Sequence, residues 1–185
     1  MSKNLAVIFP GVGYHCDKPL LYYSKKIANK KGYDIIEIQY AFTDVLGSIK
    51  TDHSKTEMAI ENAFIQTLEQ LSDVRFDDYE RVVFIGKSIG TAIAARIAAS
   101  IEVEADMIIF TPIEVTFAFL SPCEGLVFHG SADPLCDTDM CVQLCDEMSL
   151  TYAVIPEANH SLETGDVKLD IQNLEKIMDT VEKIL

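Results

Sequence analysis

The stretch Val82-Val83-Phe84-Ile85-Gly86-Lys87-Ser88-Ile89-Gly90-Thr91-Ala92-Ile93-Ala94-Ala95-Arg96-Ile97 decides how this chain is read. Its first four residues are β-branched or aromatic and predict a buried strand. Its last eight are small and apolar almost all round, which predicts a helix packed closely at the centre of a domain. Between them Gly86-Lys87-Ser88-Ile89-Gly90 forms a Gly-x-Ser-x-Gly turn in the strand–turn–helix setting that gives the pattern meaning. A serine in so tight a turn takes backbone angles that crowd its neighbours, and flanking glycines relieve the crowding. The turn projects the Ser88 hydroxyl into the crevice above the sheet. The unpaired N–H groups and positive dipole end of the helix can stabilise negative charge there, with the Ile89 N–H as the first oxyanion donor.

Working outward, short apolar runs alternate with longer segments of helical period, the signature of βαβ units. Six runs predict strands: Leu5–Phe9, Ile35–Gln39, Val82–Ile85, Met107–Phe110, Leu126–His129 and Tyr152–Ile155. Most are apolar throughout, as expected of strands covered by helices on both faces. Helices are predicted over Lys18–Lys30, His53–Leu71, Ile89–Ile101, Asp137–Met148 and Val167–Ile184. In the second, Met58, Ile60, Ala63, Phe64, Thr67, Leu68 and Leu71 form an apolar stripe. The fold class that follows is α/β: a three-layer α/β/α sandwich around a central, mainly parallel six-stranded sheet, with residues 1–185 as a single domain. Long loops are expected from Thr43 to Ser54 and from Thr111 to Gly125.

A serine is a poor nucleophile without a base, and the base needs a third group to fix its tautomer. After the fifth run comes His129-Gly130-Ser131-Ala132-Asp133-Pro134, and after the sixth comes Pro156-Glu157-Ala158-Asn159-His160-Ser161. Asp133 and His160 therefore stand in loops at strand C-terminal ends, on the sheet edge where open α/β folds bind ligands. Asp137 or Asp139 could replace Asp133 if the loop is reshaped. Among the other histidines, His129 ends a strand, His53 starts a helix and His15 precedes the candidate serine, so only His160 combines the right order with a loop location.

Composition narrows the remaining classes. A formal net charge of −14 repels phosphate backbones and anionic membranes, so no nucleic-acid partner is expected. No apolar run approaches the roughly 20 residues of a membrane span. The N-terminus lacks the pattern of a secretory signal, and a cytoplasmic location is expected. Five cysteines, an odd number with no Cys-x-x-Cys, read as free thiols. Cys136, Cys141 and Cys145 follow none of the common zinc spacings, so no metal is expected. Gly86-Lys87-Ser88 lacks the earlier glycine of a phosphate loop, where Arg81 stands. Gly11-Val12-Gly13 lacks the third glycine of a dinucleotide fingerprint, where Cys16 stands. No cofactor is expected.

With these residues in place the chain resembles the α/β-hydrolase superfamily over nearly its whole length. The order Ser88, Asp133, His160 matches that family's nucleophile, acid and base. The resemblance implies a second oxyanion donor, the Val12 N–H, because Phe9-Pro10-Gly11-Val12-Gly13 stands where the family often has His-Gly-x-Gly, here with Pro10 in place of the histidine. It also implies the strand order 2-1-3-4-5-6 and a minimal form, without the family's first two strands or a cap domain, near the small carboxylesterases and dienelactone-hydrolase-like proteins. The function implied is a serine hydrolase acting on a small carboxylic ester or thioester. A peptidase or carbon–carbon hydrolase on the same residues is the alternative within enzymes. A non-catalytic binding protein is the alternative outside them. His15, Cys16, Phe117 and Phe119 are candidates for the pocket lining, with packed or solvated readings beside them, and Lys87 either biases the site toward an anionic acyl group or is simply solvated.

Overall fold

The computed structural model describes residues 3–42, 53–120 and 125–185. The sheet is built from β1 (Asn4–Phe9), β2 (Tyr33–Glu37), β3 (Arg81–Lys87), β4 (Asp106–Phe110), β5 (Gly125–Gly130) and β6 (Thr151–Ile155). Their order is β2-β1-β3-β4-β5-β6 and every pairing is parallel. The helices are α1 (Pro19–Lys30), α2 (His53–Leu71), α3 (Ile89–Ser100), the short α4 (Thr116–Phe119), α5 (Thr138–Glu147) and α6 (Val167–Ile184), with a 3₁₀ turn at Phe76–Asp78.

Alternate side chains of each central strand enter two separate cores, which is why these strands read as continuous apolar runs. Leu5, Val7, Phe9, Val82 and Phe84 pack with α2, α3 and α5 on one face. Ala6, Ile8, Val83 and Ile85 pack with α1 and α6 on the other. The three-layer, all-parallel arrangement agrees with the sequence reading, and predicted and observed elements differ by at most two residues at their ends. The two edge strands are the exceptions to full burial: β2 leaves Asp34 and Glu37 exposed, and β6 leaves Thr151 and Tyr152 exposed.

Two expectations are corrected. Met58 is not on the buried stripe of α2; it is 59% exposed while Ile60, Ala63, Thr67 and Leu71 are buried. At about 100° per residue Met58 sits some 200° around the helix from Ile60, on the solvent side. The predicted loop from Thr111 contains α4, whose Phe117 is buried in the core. Phe119 packs against the same core, with the Arg96 guanidinium 5.6 Å from its ring centroid, so both aromatics serve packing. Of the segment Thr43 to Ser54, residues 43–52 lie outside those described. No helix among the described residues is long and apolar enough to cross a membrane.

Candidate active site

β1 and β3 lie side by side with β2 beyond one and β4 beyond the other, so the chain's connections run in opposite directions from this point and open a crevice at the strands' C-terminal ends. Ser88 stands at that crevice, between β3 and α3, with φ 57° and ψ −127°. This left-handed conformation is costly for a residue with a side chain and persists only where its surroundings enforce it. Here they do. The Ser88 N–H donates to Phe110 O at 3.0 Å, and its carbonyl accepts from the Thr91 N–H at 2.9 Å and the Thr91 hydroxyl at 2.6 Å. Thr91 is in turn 2.6 Å from the Thr116 hydroxyl of α4.

The glycines of the turn have a steric reason. A Cβ on Gly90 would lie 2.2 Å from Phe9 O, and one on Gly86 would lie 2.9 Å from the Thr91 Cα. Gly90 thus lets α3 start directly against the end of β1, which brings the β1 loop to the serine. In that loop Gly11 and Tyr14 exchange backbone hydrogen bonds of 3.0 and 3.1 Å, closing a tight turn in which Gly13 has φ 72°. A Cβ on Gly11 would be 3.1 Å from the Ser88 Cβ, so this loop forms the wall of the crevice. The hydrogen bonds of the described residues leave the Val12 N–H without an acceptor. Ile89, the first residue of α3, has an N–H with no intrahelical partner by the geometry of a helix start.

The other two predicted residues arrive from the next strands along. His160 Nε2 is 2.7 Å from Ser88 Oγ, and His160 Nδ1 is 2.7 Å from Asp133 Oδ2. Asp133's side chain is fully buried and His160's is 14% exposed. Burial alone would raise the Asp133 pKa, but hydrogen bonds from His160 and the Leu135 N–H, with the neighbouring imidazoles, hold it below the usual carboxylate value. An ionised Asp133 can only accept, which keeps the imidazole proton on Nδ1. Nε2 is then left to accept from the Ser88 hydroxyl.

The loops bearing Asp133 and His160 are laced together. Ser131 N–H donates to Ile155 O at 3.0 Å, Ala132 N–H to Ala158 O at 2.9 Å and Glu157 N–H to Ser131 Oγ at 2.8 Å. Asn159 Oδ1 accepts from the Ser161 N–H at 2.7 Å, fixing the turn around His160. A Cβ on Gly130 would lie 2.3 Å from Ala158 O, so this close approach requires glycine. Sequence reasoning passed over Gly130, Ser131 and Asn159; the available signal was a glycine directly after a strand that ends in a candidate acid loop.

The remaining candidates fall outside this arrangement. Lys87 is 2% exposed, with Nζ 5.1 Å from the centroid of the buried Tyr14 ring. Its side chain is enclosed by the protein, not solvated. His15 is exposed and accepts from the Asp17 N–H at 3.2 Å, while Cys16 is buried, its thiol pushed up to about 12 by burial and Glu37. Both line a cleft of about 480 Å³ beside the Gly11–Tyr14 turn, bounded also by Pro10, Gly11, Glu37 and Tyr40.

Comparison with solved structures places this geometry on a known scaffold. Est1E from Butyrivibrio proteoclasticus, solved with ferulic acid bound, superposes with a TM-score of 0.70 at 12% identity, covering 99% of this chain and 88% of that one. The chain has the α/β-hydrolase fold. An alpha-beta serine hydrolase homologue from Coxiella burnetii shares that α/β-hydrolase fold at 12% identity and a TM-score of 0.66, over 100% and 85% of the two chains. So does an α/β serine hydrolase without a lid from Xanthomonas campestris, at 16% identity and 0.61, over 99% and 82%. No protein-family model and no curated protein matches the chain in sequence.

Proposed function

We propose that the protein is a serine hydrolase that cleaves a small carboxylic ester or thioester through an acyl-enzyme on Ser88. The observation that carries this reading is the unbroken hydrogen-bond chain from Ser88 Oγ through His160 to Asp133, 2.7 Å at each step. A fold needs no such chain at a strained serine for packing alone.

In this mechanism Ser88 Oγ attacks the substrate carbonyl carbon as its proton passes to His160 Nε2, and the Asp133 carboxylate stabilises the imidazolium. The Ile89 and Val12 N–H groups hold the oxyanion of the tetrahedral intermediate. Each such donor is worth ~10²–10³ in kcat. His160 returns the proton to the departing alcohol or thiol. Water then enters, loses its proton to His160 and releases the carboxylic acid from Ser88. The cleft beside Gly11 provides space for one arm of the substrate. The ferulic acid bound to Est1E is a carboxylic acid, the product class of this reaction. Esters are favoured over amides because a cap-free site supplies few remote contacts to drive the harder cleavage.

The test is fluorophosphonate labelling with peptide mass spectrometry, alongside hydrolysis of a p-nitrophenyl ester series by wild type and Ser88→Ala. Labelling at Ser88 and a loss of at least ~10⁴ in kcat for Ser88→Ala are expected. If Ser88 stays unlabelled and the two proteins treat the esters alike, the binding-protein reading takes its place. Preference for peptide amides over every ester would instead select the peptidase.

A further inference from the structure

Three residues beyond Asp133 the chain turns Cys136 into the interior, against Cys141 and Cys145 of α5 and His129 of β5. All four are at most 3% exposed. A ring nitrogen of His129 and the sulfurs of Cys136 and Cys141 lie within 4.8 Å of one another. Cys145 follows Cys141 one helical turn further on, and both are buried on the same face of α5. His129 Nε2 is 3.0 Å from the Thr138 hydroxyl, whereas His129 Nδ1 is buried with no hydrogen-bond partner. A buried polar atom left unsatisfied is costly, and it calls for a ligand or a reason.

We propose that His129, Cys136, Cys141 and Cys145 form a binding site for a thiophilic divalent metal ion, zinc being the one the donor set fits best. One imidazole and three thiolates make a closed tetrahedral set of the structural kind. Bond lengths of about 2.3 Å to sulfur and 2.0–2.1 Å to nitrogen put tetrahedral ligand atoms roughly 3.5–3.8 Å apart. His129, Cys136 and Cys141 reach that spacing by closing about 1 Å, and Cys145, one turn beyond Cys141 on α5, completes the set by side-chain rotation. With Nε2–H donating to Thr138 Oγ1, the imidazole takes the tautomer that leaves the Nδ1 lone pair for the metal, the outer-shell bond typical of metal-bound histidine. Each ligating thiol gives up its proton to solvent on binding. Four protein ligands leave no open position for chemistry, so the ion acts as a staple joining β5, the Asp133 loop and α5. Spacing along the chain hides such a site, because the ligands come from a strand, a loop and a helix that meet only in the fold.

The site is independent of Ser88 chemistry, and its test is separate. Reduced, chelator-stripped protein is titrated anaerobically with Co(II), then with Zn(II). The expected result is one equivalent of cobalt with thiolate charge-transfer and tetrahedral d–d bands, bleached by one equivalent of zinc. Zinc at a hundredfold excess over its dissociation constant should raise Tm by roughly 5–10 °C. Ser88→Ala should bind cobalt as wild type does, and Cys136→Ala and Cys141→Ala should lose the bands. Cys145→Ala, which removes the third thiolate ligand, should likewise lose the wild-type bands. Absence of charge-transfer bands in the reduced wild type, or bands that survive Cys141→Ala, overturns the proposal. The wild-type titration and its Tm response decide the matter even where a variant does not fold.

Discussion

Gly90 and Gly11 differ in what they do, although both abut the same serine. A Cβ on Gly90 meets the backbone of Phe9 and Pro10 at 2.2 and 2.5 Å, neither of which can move without shifting β1. Gly90→Ala should therefore lower stability by about 3 kcal/mol or more, read as a shift in denaturant midpoint. Gly11 has looser neighbours, Lys87 O at 2.9 Å and the Ser88 Cβ at 3.1 Å. On the proposed mechanism, Gly11→Ala should leave most of the stability but displace the proposed Val12 donor or the serine, cutting kcat by ~10²–10³ on an ester substrate. Asp133 gives a pH prediction. Its folded pKa is lowered, so its stabilisation is present above the unfolded value of about 3.9 and is lost as pH falls through the folded value. Thermal melts should find wild type more stable than Asp133→Asn at pH 7, with the gap closing below about pH 4. At pH 7 the same variant should lose ~10⁴ in kcat, because an amide no longer enforces the imidazole tautomer.

At the scale of elements, Arg81 ties the end of the sheet opposite the crevice. It starts β3 and reaches Asp106 at the start of β4 through Nε at 2.7 Å and Nη2 at 2.6 Å. It also donates to the Tyr33 hydroxyl on β2 at 3.2 Å, and Tyr33 donates to Leu185 O at 3.0 Å. A third of the Arg81 side chain meets water, which screens the pair. Arg81→Leu should cost about 1–2 kcal/mol, seen as a Tm drop of roughly 2–8 °C, without changing labelling of Ser88. The elements themselves were legible because apolar runs such as Val82–Ile85 are buried on both faces, and because Gly86 and Gly90 punctuate the change of period. Ser88, Asp133 and His160 could be singled out since each follows a strand directly, and parallel strands deliver such residues to one edge. Met58 misled because a count of apolar residues ignores which side of α2 each one faces. The cysteines Cys136, Cys141 and Cys145 were set aside because their spacing fits no common zinc pattern, and His129 shares no local period with them, only a destination in the fold.

Across the whole molecule two features act together: an open crevice at one edge of the sheet and a formal net charge of −14. The adjoining cleft adds Asp17 and Glu37, which face one another across Lys25 at 3.4 and 2.7 Å. A strongly negative surface repels anionic substrates over roughly one Debye length, about 30 Å at 0.01 M salt and 8 Å at 0.15 M. If the ester reading is right, kcat/KM at low salt should be higher for a cationic ester, such as a choline ester, than for a matched ester carrying a carboxylate. Raising the salt to 0.5 M should lower the first, raise the second and bring the two together, while kcat for each stays nearly constant. A salt-independent ratio would mean that the substrate's charge is recognised by direct contact inside the crevice, and that the global field contributes little to the choice.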